Sequence, residues 1–276
     1  MTSQSLRFAG LLLVFAGVVV AQSPGDFSIT YGVNYSTADR KGTAQPGIIG
    51  PASVLYRPNC RWMFGADDDT FVTNKTATGS MSGTGDLAFE GHLTLWHGGL
   101  SLHDKCASST RASIRLDEIT TVPVAGTLES TEVASQTKLT WLLPVLNPVA
   151  QHLALWTVSG GVNVAGVPSG GRTENGVMSV NYTRYFQPDG AWGVEGEVDL
   201  GSSNKLGPSS AIVLFAIDGA LDKAQKWGMR FGASAGVTPY APKFSPFFQL
   251  TYSDNISSIF KSGGASGLRP LLRRLR

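Results

Sequence analysis

Charge is scarce in this chain: Lys and Arg number 22 and Asp and Glu 20 among 276 residues, a charged fraction of 15% with a balance of +2. So even a balance excludes the basic field that a nucleic-acid partner requires. Cysteine is limited to Cys60 and Cys106, with no CxxC spacing, so neither a zinc site nor any other metal centre is expected. Histidine occurs four times, as His92, His97, His103 and His152, and the one GxSxG spacing, GASAG at Gly232–Gly236, falls inside an alternating predicted strand rather than at a strand-to-helix elbow. An enzyme is therefore not expected, and nothing in the sequence asks for a cofactor. Beyond residue 22 no apolar run approaches the roughly 20 residues of a membrane-spanning helix.

The one apolar run stands at the start. Arg7 precedes FAGLLLVFAGVVVA from Phe8 to Ala21, and polar Gln22, Ser23, Pro24 and Gly25 follow. A single basic residue, a short apolar core and compact residues before a cut are the layout of a secretory signal. Residues 1–21 are read as that signal, 22–260 as one all-β unit, and 261–276 as a basic, disordered tail. An exported chain meets an oxidising compartment, where Cys60 and Cys106 are able to pair.

Glycine, at 33 residues, is abundant, and period-two alternation runs through much of the chain. It is sharpest from Val177 to Leu200, where Pro188, Asp189 and Gly190 supply a turn between two extended halves. In the second half Trp192, Val194, Gly196, Val198 and Leu200 alternate with Gly193, Glu195, Glu197 and Asp199. Successive side chains of a strand point to opposite faces, so one face here is apolar and the other anionic. Phe27, Ile29, Tyr31, Val33 and Tyr35 repeat the pattern, as do Leu87, Phe89, Gly91, Leu93 and Leu95 against Asp86, Ala88, Glu90, His92, Thr94 and Trp96. So do Trp227, Met229, Phe231, Ala233 and Ala235 against Gly228, Arg230, Gly232 and Ser234.

Further strands are predicted over 53–64, weakened by Pro58, and over 70–77, 112–117, 138–145, 152–164, 210–217 and 247–252. Asp67, Asp68 and Asp69 lack the spacing of a calcium loop and read as a solvated turn. The total is about twelve strands, an even number that suits an antiparallel up-and-down transmembrane β-barrel. With the N-terminus on the periplasmic side, the connections at 36–50, 78–85, 123–136, 165–176 and 201–209 fall outside and LNPVA and QPDG inside. The segment 97–111, with Cys106, is long for an inner turn. Aromatics near predicted strand ends, Tyr31 and Tyr35, Trp62 and Phe64, Trp96, Tyr185 and Phe186, Trp192 and Trp227, fit interfacial girdles.

Three stretches carry a resemblance: GTGDLAFEGHLTLW at Gly83–Trp96, ENGVMSVNYTRYFQPDGAWGVEGEV at Glu174–Val198, and KWGMRFGASAGVTPYAPKFSPFFQLTYS at Lys226–Ser253. In strand patterning and glycine placement they resemble a bacterial β-barrel transporter family named for the MetA pathway of phenol degradation. The resemblance implies an outer-membrane barrel that passes small, often hydrophobic or aromatic compounds, and it transfers no catalytic residue. Such barrels commonly finish on an aromatic residue, whereas here Phe260 is followed by KSGGASGLRPLLRRLR.

If the apolar faces meet lipid, the opposite faces line a lumen, and Glu90, His92, Arg115, Asp117, Glu195, Glu197, Asp199 and Arg230 gather there. Charged rings in a pore select solutes by field and size. Alternatively the same groups pair with one another and fill a narrow interior. The expected partners are outer-membrane lipid and a small-molecule solute. Two rivals stay open: a barrel that works through its outer loops, and a soluble exported barrel or sandwich holding a ligand inside.

Overall fold

A computed structural model describes residues 24–38, 46–76, 79–98, 112–124, 133–147, 152–166, 172–186, 192–203, 210–239 and 241–256. Residues 1–21 and 261–276, expected from the sequence to be a signal and a tail, lie outside them. Among the described residues thirteen strands are present: β1 (Asp26–Ser36), β2 (Gly47–Tyr56), β3 (Trp62–Thr76), β4 (Gly79–Gly83), β5 (Leu87–His97), β6 (Ser113–Val122) and β7 (Val133–Asn147). They continue with β8 (His152–Gly166), β9 (Arg172–Tyr185), β10 (Trp192–Ser203), β11 (Ser210–Ala220), β12 (Trp227–Gly236) and β13 (Ser245–Asn255).

Apart from β4 and β5, consecutive strands pair antiparallel, and β1 pairs with β13 from Asp26↔Asn255 to Asn34↔Phe247, so the sheet closes on itself. Closure removes the open edges that would otherwise offer unpaired N–H and C=O groups. β4 and β5 share one edge of β3. β4 pairs with the Val72–Thr76 half and β5 with the Trp62–Asp68 half. The circuit therefore has twelve positions, as expected from the sequence. No helix among the described residues is long and apolar enough to cross a membrane, a fact that says nothing of strands.

The wall is inverted relative to a soluble protein. On β10, Val194, Val198 and Leu200 are 36%, 41% and 44% exposed, while Glu195, Glu197 and Asp199 between them are 3%, 2% and 4% exposed. The same holds on β1, where Ile29, Tyr31 and Val33 face out and Ser28 and Thr30 face in. On β13 Phe248 faces out and Gln249 in. Exposed large apolar side chains on this scale far exceed the patches a water-soluble monomer tolerates.

Several predicted boundaries shift. Residues 53–64 are not one strand: Pro58 lies in a connection at 57–61 that ends β2 and precedes β3. Proline cannot donate to a ladder, which is why the chain turns there. Asp67, Asp68 and Asp69 lie inside β3 rather than in a turn, with Asp67 opposite Ser53 and Ala88. β7 and β9 also begin earlier than predicted, at Val133 and Arg172.

Two local features shape the wall. A register shift between Thr94 and Trp96 places Trp96 opposite Ile114, and Leu95 and Trp96 both face out. A bulge of this kind turns the strand by one residue, so Trp96 leaves the side of Glu90 and His92 on which alternation puts it. At Gly219 a Cβ would come within 2.3 Å of the Trp192 ring, so the absence of a side chain lets the indole lie across β11.

Four aromatic pairs lie toward one end of the barrel, the end of Asp26, whereas Tyr35 stands at the opposite end of β1. Phe27 and Tyr252 have ring centroids 6.2 Å apart, Trp227 and Tyr252 4.9 Å, Trp156 and Tyr182 4.6 Å, and Trp62 stacks on Phe64 at 5.6 Å. Tyr185 departs from the expected girdle, since it faces the interior at 5% exposure.

Candidate functional site

The interior at mid-height is a layer of charged and polar side chains. Alternation puts them there: each lies one residue from an outward apolar neighbour, and cross-strand register brings them to a common level. Asp117 faces His92 on β5 and Lys138 on β7. Glu195 faces Ala216 on β11 and Thr183 on β9. Arg230 faces Asp218 and Gln249.

One half of the layer is centred on Asp117. His92 Nδ1 lies 2.7 Å from Asp117 Oδ1, and His92 Nε2 lies 2.9 Å from Glu90 Oε2. Each ring nitrogen thus faces a carboxylate oxygen, an arrangement that the doubly protonated imidazolium satisfies on both sides. Arg115 Nη2 donates to Asp117 Oδ2 at 3.2 Å, with Arg115 Nε 2.5 Å from Oδ1, and the Thr140 hydroxyl donates to the same carboxylate. Lys138, 8% exposed, completes this half and interacts electrostatically with Asp117, Glu90 and Asp199.

The other half is held by Arg230. Its Nε and Nη2 donate to the two oxygens of Glu195, both at 2.9 Å, the bidentate geometry that suits guanidinium and carboxylate. The same guanidinium lies 5.0 Å over the Phe247 ring. Asn181 donates to Glu195 and, at 3.3 Å, to Glu197 Oε2, while Thr183 donates to Asn181 Oδ1 at 3.1 Å. Glu197 Oε1, Asp199 Oδ1 and Asp218 Oδ1 are buried with no hydrogen-bond partner. Above them Leu214, Ala216 and Phe247 form a small apolar cluster on the inner face.

A side chain beside a continuous water-filled bore would be accessible from within. Glu197, Asp117, Asp218 and Gln249 are each only 2–3% exposed, so side chains close the bore at this level. The layer combines the two arrangements anticipated for these residues: pairing that fills the interior, and an excess of carboxylate.

Glu90, His92, Arg115, Asp117, Glu195, Glu197, Asp199 and Arg230 all point inward, the first four in one cluster and the last four in the other. Sequence reasoning passed over Lys138, Asp218, Asn181 and Thr140, and placed Asp67 in a turn. Lys138 alternates with outward Leu139 and Trp141, and Asp218 with outward Ile217, which was the available signal. Among the described residues no group of His, Cys, Asp and Glu is arranged to hold a metal ion. Cys60 lies in the 57–61 connection, and Cys106 lies outside the described residues.

No family model matches the chain, and no curated protein does. Solved structures do match in fold. An outer membrane channel from Pseudomonas putida F1 superposes with a TM-score of 0.59 at 10% identity, covering 87% of this chain and 98% of that one. The KdgM porin superposes with a TM-score of 0.52 at 9% identity, covering 83% of this chain and 99% of that one. At such identities the likeness is one of fold: the chain has the architecture of outer membrane channels.

Proposed function

We propose that this protein is a bacterial outer-membrane channel that passes small solutes through a narrow bore with a preference for cations. The observation that carries the reading is the pairing of an apolar outer wall with a mid-height interior in which carboxylates outnumber cations. An outer wall of Ile, Val, Leu and Phe suits acyl chains, and a polar interior suits solutes that travel with some of their water. The likeness in fold to outer membrane channels supports transport, and the resemblance to the phenol-degradation transporter family points the same way. Glu195, Glu197, Asp199 and Asp218 outnumber the two cations that act on them, Arg230 and Lys138, and so repel anions and concentrate cations, as charged rings do in other pores. Because side chains close the bore at mid-height, single-channel conductance is expected to be low.

The test is reconstitution of the purified chain in planar bilayers across a potassium chloride gradient. A small conductance whose reversal potential lies toward that of potassium supports the reading. A current selective for chloride contradicts it, and absence of any current moves the function to the outer loops. We infer in addition that Cys60 pairs with Cys106. Among the described residues no cysteine is free. Faster migration without reductant than with it is the expected result, and identical migration contradicts the pair.

A further inference from the structure

The geometry points to a more specific solute at the same site: an organic cation that joins an ammonium group to an apolar body. This rests on the channel reading above. Three carboxylates on the β10–β11 wall, those of Glu197, Asp199 and Asp218, are at most 4% exposed, and each has one oxygen without a hydrogen-bond partner. The arginine of this wall cannot serve them, because its Nε and Nη2 are committed to Glu195. Lys138 and Arg230 act on Asp199 and Arg230 on Asp218 through their charge, but these oxygens accept no hydrogen bond; buried acceptors without a donor are costly, and a donor that arrives with positive charge lowers that cost.

The chemistry of the donor follows from what surrounds these oxygens. A bare metal ion needs converging ligands at fixed distances, and among the described residues no such group exists. An ammonium carries up to three N–H donors on a rotatable head and tolerates acceptors spread along a wall. Directly across the strand from Glu197 lies Leu214, and from Glu195 lies Ala216. Both are buried with Phe247 in the one apolar cluster found among the described buried residues. An apolar body lying on Leu214, Ala216 and Phe247 therefore leaves its ammonium at the unpartnered oxygens.

The experiment measures reversal potentials of the full chain in planar bilayers with chloride salts of potassium, ammonium and benzylammonium, and with potassium benzoate. The expected order of permeability is benzylammonium above ammonium, with benzoate far below both. In Glu197→Gln the preference for benzylammonium over benzoate falls about tenfold, the effect of one lost charge-assisted hydrogen bond. In Leu214→Ala the preference for benzylammonium over ammonium falls while ammonium over benzoate stays unchanged. Asp218→Asn replaces Glu197→Gln if the latter loses its heat-modifiable gel shift. A potassium current with benzylammonium no more permeant than benzoate overturns this inference and leaves the channel standing. No current with any salt overturns both.

Discussion

On the β5–β7 side of the interior, the carboxylates of Glu90 and Asp117 are matched by His92, Arg115 and Lys138. On the β10–β11 side, the four carboxylates of Glu195, Glu197, Asp199 and Asp218 meet Arg230, with Lys138 from the other half acting on Asp199. The two halves sit in one layer, are equally buried, and arise from the same alternation, yet they behave differently. The matched half is a closed network: Asp117 is bound by three neighbours, so its charge serves cohesion. The other half leaves one acceptor oxygen each of Glu197, Asp199 and Asp218 without a hydrogen-bond donor, which is what the proposed solute site uses. Burial alone does not separate a structural carboxylate from a functional one; the count of donors around it does.

The comparison breaks most sharply at its two centres. Asp117→Asn removes the charge around which His92 and Arg115 are arranged and leaves them buried without their shared anion. It is expected to lower stability by about 3–5 kcal/mol, read from denaturant unfolding in detergent. A loss under about 1 kcal/mol would mean that this half is not a cohesive network. Next in size is a substitution on the other face of the wall. Phe231 adjoins Arg230 in sequence but points outward, and Phe231→Arg is expected to cost roughly 2–4 kcal/mol if acyl chains surround it. An unchanged unfolding midpoint in lipid would place Phe231 in water. Glu197→Gln is the gentlest change and the most telling about function. It keeps the shape and the contact from Asn181, so stability should change by less than about 1 kcal/mol while the reversal potential moves toward chloride. Glu195→Gln is a poorer probe, because it also loosens Arg230.

Much of this architecture was legible in the sequence. Alternation on β1, β5, β6, β10 and β12 gave the two faces, and the polar faces carried the eight residues expected inside without any knowledge of pairing. The closed circuit of twelve was legible too, since each apolar stripe requires the same surroundings. What escaped is what depends on register between strands. Asp218 sits in a run, Ser210 to Ile217 and onward, that looks uniformly apolar until it is set against Gly193 and Arg230. Lys138 looks like an ordinary strand start until Asp117 is found opposite. The Thr94/Trp96 bulge leaves no mark in composition, and Pro58 reads equally as a weak point in one strand or as the turn between two. Three consecutive aspartates suggest water, yet Asp67 lies in the wall because β3 runs straight through them.

The central claim is that adjacent residues of one strand meet different solvents, hydrocarbon on one side and a polar interior on the other. It is tested most directly by a fluorophore placed at Val198→Cys, which points outward, and at Thr183→Cys, which points inward, in vesicles whose acyl chains carry bromine. Strong quenching at position 198 with little at position 183 is the predicted result. Equal quenching at both positions, or none at position 198, would contradict the account.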